Sequence, residues 1–174
     1  MVIGKSSRKK IQSGILILLL FVITQCAPKS ASELPKDILG ISIGMSKNDA
    51  QKRLEEIALF ERDEEKKQQI WRLKNDPRFS ELAVGYDKEN NLRYITLFVD
   101  KATAKERIRF TDVGDLSKSR KEIIEPHYRY IWEIAASEGK PAYYVNIYGD
   151  EPEFLTMFTL SEKVQPRKSE EEDE

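Results

Sequence analysis

Residues 38–57 read ILGISIGMSKNDAQKRLEEI, and this stretch decides the fold that the sequence predicts. Ser46 is followed three residues later by Asp49, which indicates a helix N-cap with a shortened capping box. Apolar residues then recur at helical spacing: Ala50, Leu54 and Ile57. Because this spacing places them on one side of a helix, we predict a helix from about Lys47 to Phe60.

Three runs with strand character follow this predicted helix. They are Gln69 to Lys74, Glu81 to Tyr86 and Leu92 to Val99. Pro77 interrupts regular structure between the first and second runs. The polar residues 87–91 suit a turn between the second and third runs. Residues 61–67 alternate acids and bases, which is typical of a solvated helix end. Sequential strands joined by short turns favour an antiparallel meander, whose apolar face the helix would cover.

Short motifs of the first half of the chain recur in the same order in the second half. The matches are Val113-Gly114 with Ile43-Gly44, Ser117-Lys118 with Ser46-Lys47, Ile131-Trp132 with Ile70-Trp71, and Tyr148 and Phe154 to Leu160 with Tyr86 and Leu92 to Phe98. We interpret Trp71 and Trp132 as matched core anchors rather than ligand platforms. A second helix is predicted near Ser117 to Glu125, ended by Pro126. General strand composition would also produce such an echo, and this alternative stays open.

The alternation of apolar residues predicts which strand faces are buried. Each of three groups shares one face: Leu82, Val84 and Tyr86; Tyr128, Tyr130, Trp132 and Ile134; and Tyr143, Val145 and Ile147. We therefore expect an α+β fold with two tandem units, each a helix plus a three-stranded antiparallel meander. The units would cover residues 37–100 and 101–163, either side by side or sharing one sheet.

Two flanking regions complete the predicted organisation. Residues 1–25 contain four bases, Gly14 and the apolar run Ile15 to Ile23, in the order of an export signal. The run is shorter than the roughly 20 apolar residues that span a bilayer, and a short amphipathic or buried helix is the alternative. At the other end, residues 164–174 form an acidic tail that we expect to be disordered and solvating, with docking or cation attraction as the alternative.

The only cysteine, Cys26, directly follows the predicted export signal. Residues 23–26, Ile-Thr-Gln-Cys, resemble the box of bacterial lipoprotein precursors, although Gln25 stands where Gly, Ala or Ser is usual. The resemblance implies cleavage before Cys26 and attachment of acyl chains such as palmitate. Residues 26–36 are then expected to form a flexible tether, because the small, polar and proline residues after Cys26 offer little to bury. More than one acyl chain anchors a protein stably without a spanning helix. An uncleaved anchor, a free thiol and an intermolecular disulfide are the alternatives.

The stretch Gly44-Met45-Ser46-Lys47-Asn48-Asp49-Ala50, soon after the tether, resembles the helix start of SmpA/OmlA-type small lipoproteins. Gly44, Met45, Ser46 and Ala50 match, whereas Asp49 replaces the more usual Glu or Gln. These proteins include the accessory lipoprotein of the outer-membrane β-barrel assembly machine, and the architecture is also similar to the β-lactamase-inhibitor-like fold. The resemblance implies a noncatalytic binding or scaffolding protein at the inner face of an outer membrane.

Composition argues against several other functions. The formal net charge is −1, and without the four bases before residue 11 the rest has 25 bases against 30 acids. A mildly acidic body does not suit nucleic acid, which needs clustered Lys and Arg. His127 is the sole histidine, so no multi-histidine metal site is possible, and no nucleophile elbow or phosphate-binding glycine loop occurs. We predict a structural, partly exposed His127 and no catalytic, cofactor-binding or metal-binding residue.

The sequence thus favours a lipid-anchored envelope protein, expected at the outer membrane, that binds another envelope protein without catalysing a reaction. A surface-displayed lipoprotein that binds a host or environmental ligand is the first alternative. An envelope hydrolase that uses paired carboxylates is the second. The sequence makes no prediction of the oligomeric state.

Overall fold

The structure is a computed structural model that describes residues 33–65, 68–101, 107–137 and 139–163. The predicted export signal, Cys26, most of the predicted tether and the acidic tail lie outside the described residues. In the part of the chain that is described, no helix has the length and apolarity needed to cross a membrane.

Two helices, one 3₁₀ turn and eight strands make up the described body. In chain order they are α1 (Lys47–Ile57), β1 (Ala58–Glu64), β2 (Gln68–Leu73), β3 (Phe79–Tyr86), β4 (Leu92–Val99), α2 (Phe110–Val113), a 3₁₀ turn (Leu116–Lys118), β5 (Arg120–Ile124), β6 (His127–Ile134), β7 (Tyr143–Gly149) and β8 (Met157–Glu162).

The eight strands form one continuous antiparallel sheet in the order β1-β2-β3-β4-β8-β7-β6-β5. The predicted α+β arrangement of two tandem units, each a helix plus a three-stranded meander, is therefore wrong. Each half of the chain contributes four strands, and the halves join where β4 pairs with β8. As a result β1 and β5 are the two edge strands.

The first error lies at the end of α1. The helix begins as predicted, because the Ser46 hydroxyl accepts a hydrogen bond from the Asp49 amide at 3.2 Å. It ends at Ile57, however, and the next residues pair with β2 as strand β1. Residues 59–64 are exposed on both sides of this edge strand, so they carry no alternation of apolar and polar residues.

The second error lies where a helix was predicted over residues 117–125. Only short helical turns, α2 and the 3₁₀ turn, precede Arg120, and the chain then becomes strand β5. Its register places Ile123 opposite Tyr128 and Ile124 opposite His127. Two consecutive β-branched residues favour a strand, and the pairing with β6 satisfies the backbone groups that a helix would otherwise bond internally.

The core lies on one face of the sheet, beneath both helices. Ala50 and Leu54 of α1 and Phe110 and Val113 of α2 belong to the same hydrophobic cluster as alternate residues of the strands. The strand members are Ala58, Trp71, Leu82, Val84, Tyr86, Leu92, Ile95, Leu97, Tyr130, Trp132, Tyr143, Val145, Ile147 and Leu160. Both tryptophans are buried there, as predicted. Because side chains alternate along a strand, the residues between these members face the other way.

Candidate functional site: the helix-free face

The candidate site is the sheet face opposite α1 and α2, called here the helix-free face. At its centre three strands place nine side chains in register: β4, β8 and β7. The three rows, which together we call the central patch, are Tyr94–Ser161–Tyr144, Thr96–Thr159–Asn146 and Phe98–Met157–Tyr148. The patch thus joins residues from both halves of the chain.

Aromatic side chains occupy the four corners of the central patch. Tyr94 and Phe98 lie on β4, and Tyr144 and Tyr148 lie on β7. With strands about 4.8 Å apart and a rise of about 3.3 Å per residue, the corners outline an area of about 10 by 13 Å. All four side chains are half-buried, so part of each ring is accessible on this face.

A hydrogen-bonded polar row crosses the patch between the aromatic corners. The Thr96 and Thr159 hydroxyl oxygens are 2.9 Å apart. Asn146 donates from Nδ2 to the Ser161 hydroxyl at 3.3 Å, and its Oδ1 accepts from Arg129 at 3.1 Å. These bonds fix the directions of the donors and acceptors before any ligand arrives, which lowers the entropic cost of binding.

Tyr94 is held in place by a residue of β2, which is separated from β4 by strand β3. Its hydroxyl donates to Gln68 Oε1 at 2.5 Å, and burial raises the pKa of this phenol. Tyr94 therefore stays neutral at physiological pH and offers its ring, rather than a charge, to a ligand.

His127 lies at the rim of the patch, next to Tyr148. The two rings are stacked with centroids 5.5 Å apart, and His127 Nδ1 lies 3.4 Å from Asp150 Oδ1. The other Asp150 oxygen is 2.5 Å from Lys101 Nζ. The hydrogen bond from Lys101, and more weakly the one from His127, holds the pKa of Asp150 below its usual value. His127 is about half exposed, with a relative side-chain accessibility of 49%.

The acids do not converge in the described ranges of the chain. The buried polar residues there are Gln69 and Thr96, neither of which is an acid. Carboxylates lie on the surface beside bases, as in the pair Arg107–Glu151 at 2.6 Å. No group of three or more His, Cys, Asp or Glu in these ranges could hold a metal ion. The expectation that no residue is catalytic, cofactor-binding or metal-binding stays a prediction.

The motif at the start of α1 borders a depression rather than the central patch. This depression of about 510 Å³ is lined by polar residues of α1 and of the turn before β4: Ser46, Lys47, Asn48, Gln51, Glu89, Asn90 and Asn91. Five of the seven lining residues are neutral, the other two, Lys47 and Glu89, have opposite charges, and the lining has no aromatic ring. We therefore place the candidate site on the helix-free face.

Sequence reasoning did not identify the central patch. Of its three strands only β7 had a predicted buried face, formed by Tyr143, Val145 and Ile147, and the residues between them were given no role. Comparisons of the chain with protein families, with curated proteins and with solved structures find no match. The resemblance to SmpA/OmlA-type lipoproteins therefore stays a prediction.

Proposed function

We propose that this chain is a lipid-anchored bacterial envelope lipoprotein whose helix-free face binds another envelope protein without catalysing a reaction. The anchor is Cys26, and the proposed location is the outer membrane, with assembly or maintenance of that membrane as the setting. The central patch is the single observation that supports binding to a protein.

The composition of the patch resembles the centre of a protein interface. Tyrosine, phenylalanine and methionine supply five of its nine side chains, and none of the nine carries a charge. Interface centres are enriched in aromatic residues and methionine and depleted in Lys, Glu and Asp. Tyrosine is also among the residues that most often dominate binding energy.

The surroundings of the patch resemble an interface rim. Arg129 beside Asn146 pairs with Glu122 at 3.3 Å, and Glu133, opposite Tyr144, pairs with Lys163. Charged residues at a rim contribute mainly to association rate and orientation, whereas an uncharged centre contributes affinity. The helix-free face thus has an uncharged centre and a charged rim of both signs.

The proposal is tested by capturing the partner in intact cells. Cells that produce the full-length protein are crosslinked, the envelope is solubilised in detergent, and co-purifying proteins are identified by mass spectrometry. Tyr144→Ala and Tyr148→Ala are compared with Tyr128→Ala, which removes a half-buried tyrosine of the core face instead. Thermal unfolding of all three variants separates loss of binding from loss of fold.

We expect a partner whose recovery falls at least about tenfold in Tyr144→Ala and Tyr148→Ala, while folded Tyr128→Ala retains it. Equal recovery by all variants would show that the helix-free face is not the binding surface. No specific partner despite confirmed lipidation would favour the surface-displayed, ligand-binding alternative. In that case, accessibility to added protease on intact cells decides which side of the membrane carries the protein.

A further inference from the structure

The large hydrophobic side chains that are exposed in the described residues all lie on the two edge strands. Leu59 and Phe60 belong to β1, and Ile123 and Ile124 belong to β5. An edge strand presents unpaired backbone groups that can pair with a strand of another chain. Exposed apolar residues on such an edge favour pairing, because pairing removes them from water.

The β1 edge carries features that oppose pairing. Its register with β2 shifts between Phe60 and Arg62, and its last four residues, 61–64, are all charged. Phe60 also packs edge-on against Trp71, with ring centroids 5.3 Å apart. Bulges and charges are the usual means by which proteins protect an edge. The β5 edge also carries charges, at residues 120–122, but it has no register shift against β6 and ends in two exposed isoleucines, so it is the better template.

The backbone of β5 determines which of its residues can pair outward. Residues 125 and 126 form the turn to β6, and Ile124 is opposite His127. The pair that closes a two-residue hairpin exchanges hydrogen bonds, so the backbone groups of Ile124 point toward β6. Along an antiparallel strand this direction alternates, and the backbone groups of Ile123 and Lys121 therefore point away from the sheet.

We propose that β5 pairs with β5 of a second copy of this chain, antiparallel and with Ile123 opposite Ile123 of the other copy. This arrangement uses a two-fold axis, so the same surface serves both copies. The outward amide and carbonyl groups of the two Ile123 residues bond to each other, and their side chains meet on the core side of the sheet. At each end, Lys121 of one copy comes beside Glu125 of the other.

Charge favours this register over its neighbours. A register centred on Glu122 would place two carboxylates opposite each other, and one centred on Lys121 would oppose two ammonium groups. In the described structure neither Lys121 nor Glu125 forms an ion pair within one chain, so both are available to a second copy. Lys121 Nζ lies over the Tyr130 ring, 5.7 Å from its centroid. Opposite charges across strands stabilise pairing, and like charges oppose it.

A charge exchange tests both the pairing and its register. Full-length protein in detergent is examined by sedimentation velocity over a concentration series, as wild type, Lys121→Glu, Glu125→Lys and the double exchange. We expect a wild-type dimer, a dissociation constant at least about tenfold higher in each single variant, and recovery in the double variant. Ile123→Glu should also dissociate the dimer, whereas Ile124→Lys should keep it, because Ile124 would lie opposite Glu122 of the other copy.

Monomers at every concentration would overturn the proposal, as would a dimer that the single variants leave unchanged or that the double exchange does not restore. All substituted residues are exposed, and far-UV circular dichroism is the control for the folding of each variant. The pairing involves a sheet edge rather than the helix-free face. Its failure would therefore leave the proposed partner-binding function untouched.

Discussion

The ring of Tyr94 lies directly over Gly85 on the neighbouring strand. A β-carbon at Gly85 would be 2.1 Å from Cε1 of this ring, far closer than two non-bonded carbon atoms can approach. The two residues are cross-strand partners on the helix-free face. Glycine is therefore required at position 85 by the position of the Tyr94 ring, and that ring forms one corner of the central patch.

Gly85→Ala should displace Tyr94 and break its hydrogen bond to Gln68. We expect a loss of about 1–3 kcal/mol in the free energy of unfolding, the range for overpacking, offset in part by the lower chain entropy of alanine. Urea denaturation measures the change. Removal of the ring relieves the clash. The double variant Gly85→Ala with Tyr94→Ala should therefore lose less free energy of unfolding than the two single variants lose in sum. Simple additivity would contradict the steric explanation.

The two buried tryptophans should respond differently to substitution by phenylalanine. Trp132 Nε1 donates to the Asp115 carbonyl oxygen at 3.1 Å, whereas Trp71 Nε1 is buried without a hydrogen-bond partner among the described residues. Trp132→Phe should therefore cost about 1 kcal/mol more than Trp71→Phe, since it leaves a carbonyl unpaired. Either residue changed to Ala should cost about 3–5 kcal/mol. Denaturant unfolding at one pH gives all four values, and an equal cost for the two phenylalanine variants would contradict the prediction.

Local sequence signals predicted the start of α1 and the buried face of three of the eight strands, β3, β6 and β7. The Ser46 cap and the alternation around Val84 and Val145 depend on nearby residues, and the structure agrees with them. The edge strands were missed for a physical reason. An edge strand that is solvent-exposed on both faces has no alternation of apolar and polar residues to detect. The charged β1 residues 61–64 were therefore interpreted as a solvated helix end.

The central patch could be predicted only in part. Tyr144 and Tyr148 alternate with core residues of β7, so the sequence placed them away from the core. Their neighbours across the sheet were not predictable, because β4 pairs with β8 over a long separation. Thr96 and Thr159 are 63 residues apart in the chain. Such non-local pairing depends on the packing of the whole sheet rather than on any local pattern.

Tyr86 should make the fold sensitive to alkaline pH. Its hydroxyl is buried without a partner among the described residues, and burial raises the pKa of Tyr86 to about 12. Since the folded-state pKa exceeds the unfolded value of about 10, the contribution to stability is complete below pH 10 and is lost as pH rises toward 12. Relative to Tyr86→Phe, wild type should lose about 3 kcal/mol over that range.

At pH 7, Tyr86→Phe should be as stable as wild type or more stable, because the substitution removes an unpaired buried hydroxyl. Urea unfolding of both proteins at a series of pH values provides the test. The difference between the two proteins isolates Tyr86 from the lysines and other tyrosines that also titrate at high pH. A difference that does not change with pH would show that Tyr86 ionises as readily in the fold as in the unfolded chain.

Cys26→Ala should release the protein from the membrane without unfolding the described body. The substituted residue lies outside residues 33–163, which contain all of the sheet and its core. Labelling of cells with radioactive palmitate should mark the wild-type protein and leave the variant unmarked, and fractionation should move the variant to the soluble fraction. Near-UV circular dichroism of the released protein should report the same packing of Trp71 and Trp132 as in wild type. If the unlabelled variant stays with the membrane, the apolar run of residues 15–23 is an uncleaved anchor, because the acyl chains would then not be the sole attachment.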